Sequence, residues 1–220
     1  MTETRRIENA RFINYFQDMS WIKTIPPEYA TGKLKDIYDS VKTPGHSVDN
    51  ILQVHSLRPH TLEGHLKLYK NVLHHSSNTL PKWFLETIGV YVSILNKCTY
   101  CVDHHYSGLQ KLLKDENKKA VTIRAAIEND SPEDFFSGKE LLFLRYVKKL
   151  TLLPFSILKE DIELLQSNGL DDGEILEVNQ VTAYFCYANR TVLGLGTTTV
   201  GDELGLSPGN NENPDDWRHS

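Results

Sequence analysis

The pattern of hydrophobic and polar residues follows a helical period along most of the chain. The first amphipathic series follows two prolines and comprises Leu34, Ile37, Tyr38 and Val41. The second series follows Pro59 and comprises Leu62, Leu66, Tyr69 and Val72 or Leu73. Because spacings of i, i+3, i+4 and i+7 place side chains on one face of an α-helix, both segments are predicted to be helices. The segment LPKWFLE starts another.

The second half of the chain carries helix start and stop signals. The dipeptide SP at 131–132 supplies an N-cap hydroxyl and a first-turn proline, which predicts a helix running toward Leu152. A shorter helix is expected to end at Gly169, and the last long helix covers about 172–193. The charged run KLLKDENKK, residues 111–119, is interpreted as a solvated helix end.

The helical pattern leaves little room for β-structure. No segment shows sustained strand alternation bounded by hairpin turns, although VYVSIL is rich in β-branched residues. The sequence therefore predicts an all-α protein with one helical domain, residues 26–206. Residues 1–25 are interpreted as an irregular N-terminal arm and residues 207–220 as a polar C-terminal tail.

Composition narrows the function classes. The chain has 220 residues and a net charge of −5, and its basic residues are scattered, which argues against nucleic acid as a partner. The N-terminal segment lacks a signal-peptide apolar run, and no apolar stretch is long enough to span a bilayer, so a cytoplasmic protein without membrane contact is expected. Three cysteines are too few for a disulfide framework and favour redox or metal chemistry.

The stretch NKCTYCVDHH, residues 96–105, concentrates the candidate chemistry. Asn96 is a plausible N-cap, which would place Cys98 and Cys101 in the first turns of a helix, where the helix dipole favours a thiolate. The spacing puts both sulfurs on one face, with His105 one turn beyond Cys101 to take its proton. On this reasoning Cys101 is favoured as the nucleophile and Cys98 as the resolving thiol, with the reverse order left open.

Glu86 joins this group only if the chain turns. An unbroken helix would hold it roughly 18 Å from Cys98 at 1.5 Å per residue. A break at Asn96 and Lys97 would create an antiparallel helical hairpin and bring the Glu86 carboxylate level with His105. The carboxylate would then orient the imidazole and stabilise its charged form, which in turn supports a thiolate.

These residues carry a family resemblance. Glu86, Cys98, Cys101 and His105 match the E-x11-C-x2-C-x3-H signature, and the chain resembles the alkylhydroperoxidase D-like (AhpD-like), or carboxymuconolactone decarboxylase, superfamily. The segments IPPEYATGKLKDIYD, SLRPHTLEGHLKLY and YFCYANRTVLGLG are similar to flanking segments of its peroxidase-related branch. The resemblance covers most of residues 22–206.

The resemblance implies an all-helical enzyme whose cysteine pair cycles between dithiol and disulfide, with Glu86 and His105 managing protons. It implies an antioxidant oxidoreductase that reduces a hydroperoxide or a partner protein's disulfide, restored by a thiol reductant and needing no cofactor or metal. A symmetric homo-oligomer, as dimer, trimer or hexamer, is expected from the resemblance and from the apolar excess on the last helix. Some members carry a histidine between the cysteines where this chain has Tyr100, so either a shorter proton relay or a different partner is expected.

Two other classes of function stay open at this point. The pair could serve a redox-sensing interaction protein with negligible turnover. It could also belong to a metal-binding module, but His104 and His105 point about 100° apart on a helix, so at most three ligands converge. His104 is interpreted as a solvated or hydrogen-bonded side chain, and the histidines at positions 55, 60, 65, 74 and 75 as mostly surface groups, with His65 a candidate for the pocket.

A weak internal echo completes the sequence evidence. Leu85 and Leu176 each open a Leu-Glu segment that continues apolar, and Glu177 stands twelve residues before Asn189 as Glu86 stands before Cys98. The echo favours either chance or a duplicated helical hairpin of which only the first copy kept its cysteines.

Overall fold

The computed structural model describes residues 19–43, 45–114 and 117–206. Within these ranges the chain forms nine α-helices and no strand, which confirms the all-α prediction. None of the helices in the described ranges is long and apolar enough to cross a bilayer. The predicted tail, and the predicted arm up to residue 18, lie outside the described residues.

The helices follow one another with short connections. They are α1 Gly32–Val41, α2 Asn50–Gln53, α3 Pro59–Tyr69, α4 Lys82–Leu95, α5 Thr99–Leu112, α6 Asn117–Glu128, α7 Gly138–Leu152, α8 Lys159–Ser167 and α9 Asp172–Leu195. A π-helical turn, Lys70–His74, continues α3, and single 3-10 turns lie at Pro27–Tyr29, Pro132–Asp134 and Pro154–Ser156. The left-handed Gly196 ends α9, as glycine often does after a helix.

Two segments differ from the sequence expectation. The signal at 131–132 starts only a 3-10 turn, and α7 begins later, at Gly138. The turn carries Phe136 into the core, where its ring packs against Phe84, and this burial explains the break. The charged run at 111–119 contains the end of α5 at Leu112, as predicted, but α6 also begins within it and buries Ala120, Ile123 and Ile127.

Helix α4 lies at the centre of the fold. Ten consecutive residues, from Phe84 to Ser93, are buried, because α5, α7 and α9 all pack against it. A Cβ atom on Gly89 would lie 2.2 Å from the ring of Phe185 in α9, so glycine permits the close approach of these two helices. This packing fixes the position of the α4–α5 junction, where the cysteines lie.

After α9, residues 197–206, here called the C-terminal strap, return across the loop before α2 and the side of α5. The Glu203 carboxylate accepts hydrogen bonds from the Thr43 hydroxyl and from the backbone N–H of Gly45. Lys111 in α5 donates to the carbonyl oxygen of Leu204, 3.0 Å away. The strap therefore fastens the first part of the chain to α5 beside the cysteine pair.

Candidate active site

The chain turns between α4 and α5 through a Schellman motif. The backbone N–H of Lys97 donates to the carbonyl of Ile94, that of Cys98 donates to Ser93, and Lys97 adopts the left-handed conformation with φ of 60°. Asn96 is the C-cap of α4, so its predicted role as an N-cap is wrong; Cys98 is the N-cap of α5. The turn places Cys98 at the junction and Cys101 in the first turn of α5.

The two thiols are free and buried, with 0% of Cys98 and 3% of Cys101 exposed. Hydrogen bonding from the Cys101 side chain lowers the pKa of Cys98, with smaller contributions in the same direction from the Cys101 backbone N–H and from Asn189. The same interaction and burial raise the pKa of Cys101 well above that of a free thiol. Because the pair shares a proton in this way, Cys98 ionises first, which reverses the order of acidity favoured by the sequence.

Asn189 in α9 forms hydrogen bonds to residues at the end of α4. Its amide Nδ2 donates to the Ser93 hydroxyl at 3.0 Å, and its Oδ1 accepts from Asn96 Nδ2 at 3.0 Å. Ser93 in turn donates to the carbonyl of Gly89 at 2.8 Å. Asn189 and Ser93 are fully buried, so this network locks the turn that carries the sulfurs.

Glu86 and His105 form a second pair beside the sulfurs. Oε2 of Glu86 lies 2.8 Å from Nδ1 of His105, and both side chains are largely buried. The ring of Phe185 meets the imidazole edge to face at a centroid distance of 4.5 Å. Since Nδ1 is engaged by the carboxylate, Nε2 is the nitrogen that can exchange a proton with a group in the adjoining cavity.

A cavity of about 790 Å³, including space open to solvent, lies beside this pair. Its chemically active lining is Cys101, Glu86 and His105, whereas Cys98 does not line it. The remaining walls are mostly apolar and aromatic, and they include Ile51, Leu52, Leu66, Tyr69, Tyr184, Ala188 and Leu206. The arrangement gives one sulfur, a histidine and a carboxylate access to a common space.

Tyr100 and His104 belong to a separate polar cluster built on the strap. The Tyr100 hydroxyl donates to Oδ2 of Asp202 at 2.6 Å and accepts from the backbone N–H of Ile51 at 3.0 Å. His104 Nε2 lies 3.1 Å from the same carboxylate oxygen, and its ring stacks on Tyr100. Burial raises the pKa of Tyr100 well above that of a free phenol, so its hydroxyl keeps its proton at neutral pH. The predicted view of His104 as a hydrogen-bonded side chain agrees with this geometry.

Sequence reasoning missed residues that are distant along the chain. Asp202 in the strap was not predicted to lie near the site, because the sequence around it shows only that it is acidic and does not indicate its partners. Asn189 had a weak signal, since it occupies the position that matches Cys98 in the internal echo. His65 and His74 are buried rather than at the surface, and His65 lines the cavity as suspected.

Within the described residues, the side chains that could bind a metal ion do not converge. Among residues 19–43, 45–114 and 117–206, no three His, Cys, Asp or Glu side chains form a group that could hold one. His105 turns to Glu86, and His104 turns to Asp202. The two adjacent histidines therefore serve different carboxylates.

Comparison with known proteins places the fold. The sequence matches no protein-family model and no curated protein. A solved structure of a peroxidase-related protein from Silicibacter sp. TM1040 is similar with a TM-score of 0.67 and 21% identity, over 86% of this chain and 92% of that one. An alkylhydroperoxidase AhpD core, a peroxidase-related protein from Ralstonia eutropha JMP134, is similar with a TM-score of 0.71 and 18% identity, over 85% and 95%.

A third similar structure has a different activity. It is a cysteine-to-alanine variant of the debrominase Bmp8 in complex with 2,3,4-tribromopyrrole, with a TM-score of 0.59 and 15% identity, over 82% of this chain and 93% of that one. The three likenesses show that this chain has the AhpD-like helical fold. The first two are described as uncharacterized, so the debrominase is the one of the three whose activity is named.

Proposed function

We propose that this protein is a thiol-dependent peroxidase that cycles between a Cys98–Cys101 dithiol and disulfide. The observation that carries the proposal is the shared cavity: the Cys101 sulfur opens onto the space occupied by the His105–Glu86 pair. The likeness of the fold to peroxidase-related proteins supports the same class of reaction. A nucleophilic sulfur, a proton carrier and an orienting carboxylate are the groups that such a reaction needs.

The oxidative half-reaction starts at Cys101. Its thiolate attacks the distal oxygen of the hydroperoxide, the O–O bond breaks, and the departing alkoxide takes a proton from the imidazolium of His105. The product is an alcohol and a sulfenic acid on Cys101. The Cys98 sulfur then attacks the Cys101 sulfur, the S–S bond forms, and the departing hydroxide takes the proton of Cys98 and leaves as water.

The lower pKa of Cys98 is compatible with attack by Cys101, because the proton between the two sulfurs can move from one to the other. Cys98 gives up its proton more readily than Cys101, because the Cys101 thiol donates a hydrogen bond to it and so lowers the pKa of Cys98. When an oxidant enters the cavity, the proton passes along that hydrogen bond to Cys98, and Cys101 becomes the attacking thiolate. Position in the cavity, rather than resting acidity, therefore selects Cys101.

Burial favours a small oxidant over a partner protein's disulfide. Both sulfurs are almost fully buried, and the open space beside Cys101 is a cavity rather than a flat face. A disulfide held in a folded protein could not reach the Cys101 sulfur without opening the site, whereas a hydroperoxide can enter.

Reductive dehalogenation is the second candidate, favoured by the similar debrominase structure and by the aromatic walls of the cavity. In that reaction the dithiol would convert a carbon–bromine bond to carbon–hydrogen, releasing bromide and a proton as the disulfide forms. Incubating the reduced protein with 2,3,4-tribromopyrrole and measuring bromide separates the two activities. Bromide release with no peroxide consumption would replace the first proposal by the second.

The test of the peroxidase proposal measures oxidation of the reduced protein by cumene hydroperoxide. We expect Cys101→Ser to abolish oxidation, and Cys98→Ser to react once and retain a sulfenic acid that dimedone traps. Cys186→Ser, at a half-buried position in α9, should match the wild type. Peroxide consumption by Cys101→Ser at the wild-type rate would overturn the assignment, and oxidation that stops after one cycle with excess thiol would indicate a redox sensor.

A further inference from the structure

A second cavity lies on the other side of the cysteine pair. It has a volume of about 370 Å³, including space open to solvent, and Cys98 lines it while Cys101 does not. Its other walls are Trp21, Thr99, Tyr100, Val192, Leu193, Gly196 and Thr197. Tyr100 borders both cavities, and the two cysteines line different spaces on either side of it.

Thr197 gives this cavity an unused polar group. Only 6% of the residue is exposed, and its Oγ1 atom has no hydrogen-bond partner in the described part of the structure. A buried hydroxyl without a partner costs free energy unless a ligand or a water molecule completes its hydrogen bond. The position of Thr197 on the cavity wall therefore points to a ligand that carries a hydrogen-bonding group.

Trp21 lines the second cavity beside Gly196. Its backbone is held, because its N–H donates to the carbonyl of Leu195 at 2.8 Å, and the Ser20 hydroxyl donates to the same oxygen. The indole ring lies over Gly196, close enough that a Cβ atom there would be 2.1 Å from it. Yet 77% of Trp21 is exposed, so the ring can swing away without losing a buried environment.

We propose that this second cavity is the site at which the thiol reductant attacks the disulfide, through the Cys98 sulfur. The proposal rests on the proposed function, since it requires a Cys98–Cys101 disulfide. Oxidant and reductant would then reach the couple from opposite sides, the oxidant at Cys101 and the reductant at Cys98. The slot suits a small, unbranched thiol, whose polar group binds the Thr197 hydroxyl and whose carbon chain lies along Leu193 and Val192.

The Cys98–Cys101 disulfide is reduced in two thiol–disulfide exchange steps. The reductant thiolate attacks Cys98, a mixed disulfide forms there, and Cys101 leaves as a thiolate that takes a proton from His105. A second reductant thiol then attacks the reductant's own sulfur in the mixed disulfide, which releases the reductant as a disulfide and Cys98 as a thiolate. Two thiols are oxidised and one protein disulfide is reduced.

Acidity does not oppose attack at Cys98. A leaving thiol with a low pKa leaves faster, which would favour attack at Cys101 if Cys98 stayed acidic. The pKa of Cys98 is lowered chiefly by a hydrogen bond from the Cys101 thiol, and that thiol has no proton when it is part of a disulfide. Access to each sulfur therefore decides which one is attacked.

Filling each cavity separately tests the proposal. Leu193 and Leu206 each line one cavity only and are not fully buried, so tryptophan at either position narrows one entrance. We expect Leu193→Trp to lower the rate constant for reduction by dithiothreitol about tenfold, because exchange depends on access, with oxidation by cumene hydroperoxide unchanged. Leu206→Trp should slow oxidation and leave reduction unchanged. Thr197→Val, which removes only the hydroxyl, should also slow reduction.

The attachment site provides an independent readout. The oxidised protein is treated with 2-mercaptoethanol, quenched with acid, and the modified cysteine is located by mass spectrometry. We expect 2-mercaptoethanol on Cys98. Attachment to Cys101, or equal rates of reduction in Leu193→Trp and the wild type, overturns the two-sided arrangement while leaving peroxidase turnover intact. Failure to form the disulfide at all would overturn the proposed function instead.

Discussion

Oε2 of Glu86 and Nδ1 of His105 lie 2.8 Å apart, although the residues are in different helices and nineteen positions apart along the chain. The Schellman turn at Lys97 brings them together by returning α5 along α4. The carboxylate engages Nδ1 and fixes the orientation of the imidazole, which leaves Nε2 as the nitrogen that can exchange a proton beside Cys101.

Replacing the carboxylate while keeping its shape tests this relationship. We expect Glu86→Gln to lower the rate of oxidation by cumene hydroperoxide by about 10²–10⁴-fold, the usual contribution of a positioned proton carrier. The loss should appear in the chemical step, measured by rapid mixing of the reduced protein with peroxide.

Glu177 offers a matched control for Glu86. It occupies the corresponding position in the internal echo, but its carboxylate accepts backbone N–H groups of Thr79 and Leu80 before α4. Glu177→Gln should therefore leave the oxidation rate within about twofold of the wild type and cost about 1 kcal/mol of stability. Equal losses of activity in both variants would assign Glu86 a purely structural role.

The acidity of Cys98 depends on its partner. Because a hydrogen bond from the Cys101 thiol is the largest cause of the lowered pKa of Cys98, Cys101→Ala should raise that pKa. The ultraviolet absorbance of the thiolate, followed against pH, measures the shift in the pKa of Cys98. Cys186→Ala should leave the titration of Cys98 unchanged. A pKa of Cys98 that stays low in Cys101→Ala would instead assign its acidity to the end of α5.

The sequence was informative where the determining residues are close in the chain. The four signature residues lie within two helices, so spacing alone predicted that they could meet if the chain turned near Asn96. The break at Asn96 and Lys97 was predicted correctly, but the capping role of Asn96 was wrong, because Lys97 takes a left-handed conformation that glycine or asparagine would usually signal. Helix α6 was missed because its charged start hid three apolar residues at helical spacing.

Long-range partners could not be predicted in the same way. Asp202 reaches Tyr100 from about a hundred positions away, and nothing in its local sequence indicates which side chain it binds. Asn189 reaches Ser93 across the core from α9. Such contacts depend on how whole helices pack, and that packing in turn depends on features such as the close approach at Gly89. The predicted internal duplication and the oligomeric state stay predictions.

Because α9 approaches α4 closely at Gly89, a single methyl group added at this position is expected to destabilise the protein. Gly89→Ala should displace Phe185, whose ring also packs on His105, and should lower the free energy of unfolding by about 1–3 kcal/mol. Gly64→Ala is the matched control, because no atom lies within 4 Å of its added Cβ, and it should stabilise α3 by about 0.5–1 kcal/mol. Urea unfolding measures both, and equal effects would contradict this account of the packing.

Tyr100 is expected to act through structure rather than as a proton carrier. Its hydroxyl joins the Asp202 carboxylate to the backbone N–H of Ile51, and Tyr100→Phe leaves both without this partner. The variant should lose about 1–3 kcal/mol of stability in urea unfolding. The pH profile of peroxide oxidation should keep its shape, because the phenol stays neutral in the wild type. A displaced profile would place Tyr100 in the proton relay.

Burial of His65 predicts a specific acid sensitivity. Burial lowers the pKa of His65 from 6.5 to about 3, so between these values the unfolded chain binds a proton that the folded protein does not. Above pH 6.5 both states are neutral and His65 has no effect; as pH falls below 6.5, stability is lost by up to about 1.4 kcal/mol per pH unit. In urea unfolding between about pH 4.5 and 8, the free energy of unfolding of His65→Gln should depend less steeply on pH than that of the wild type. The exposed His60→Gln should keep the wild-type slope. An unchanged slope in His65→Gln would mean that the folded protein accepts the proton at His65.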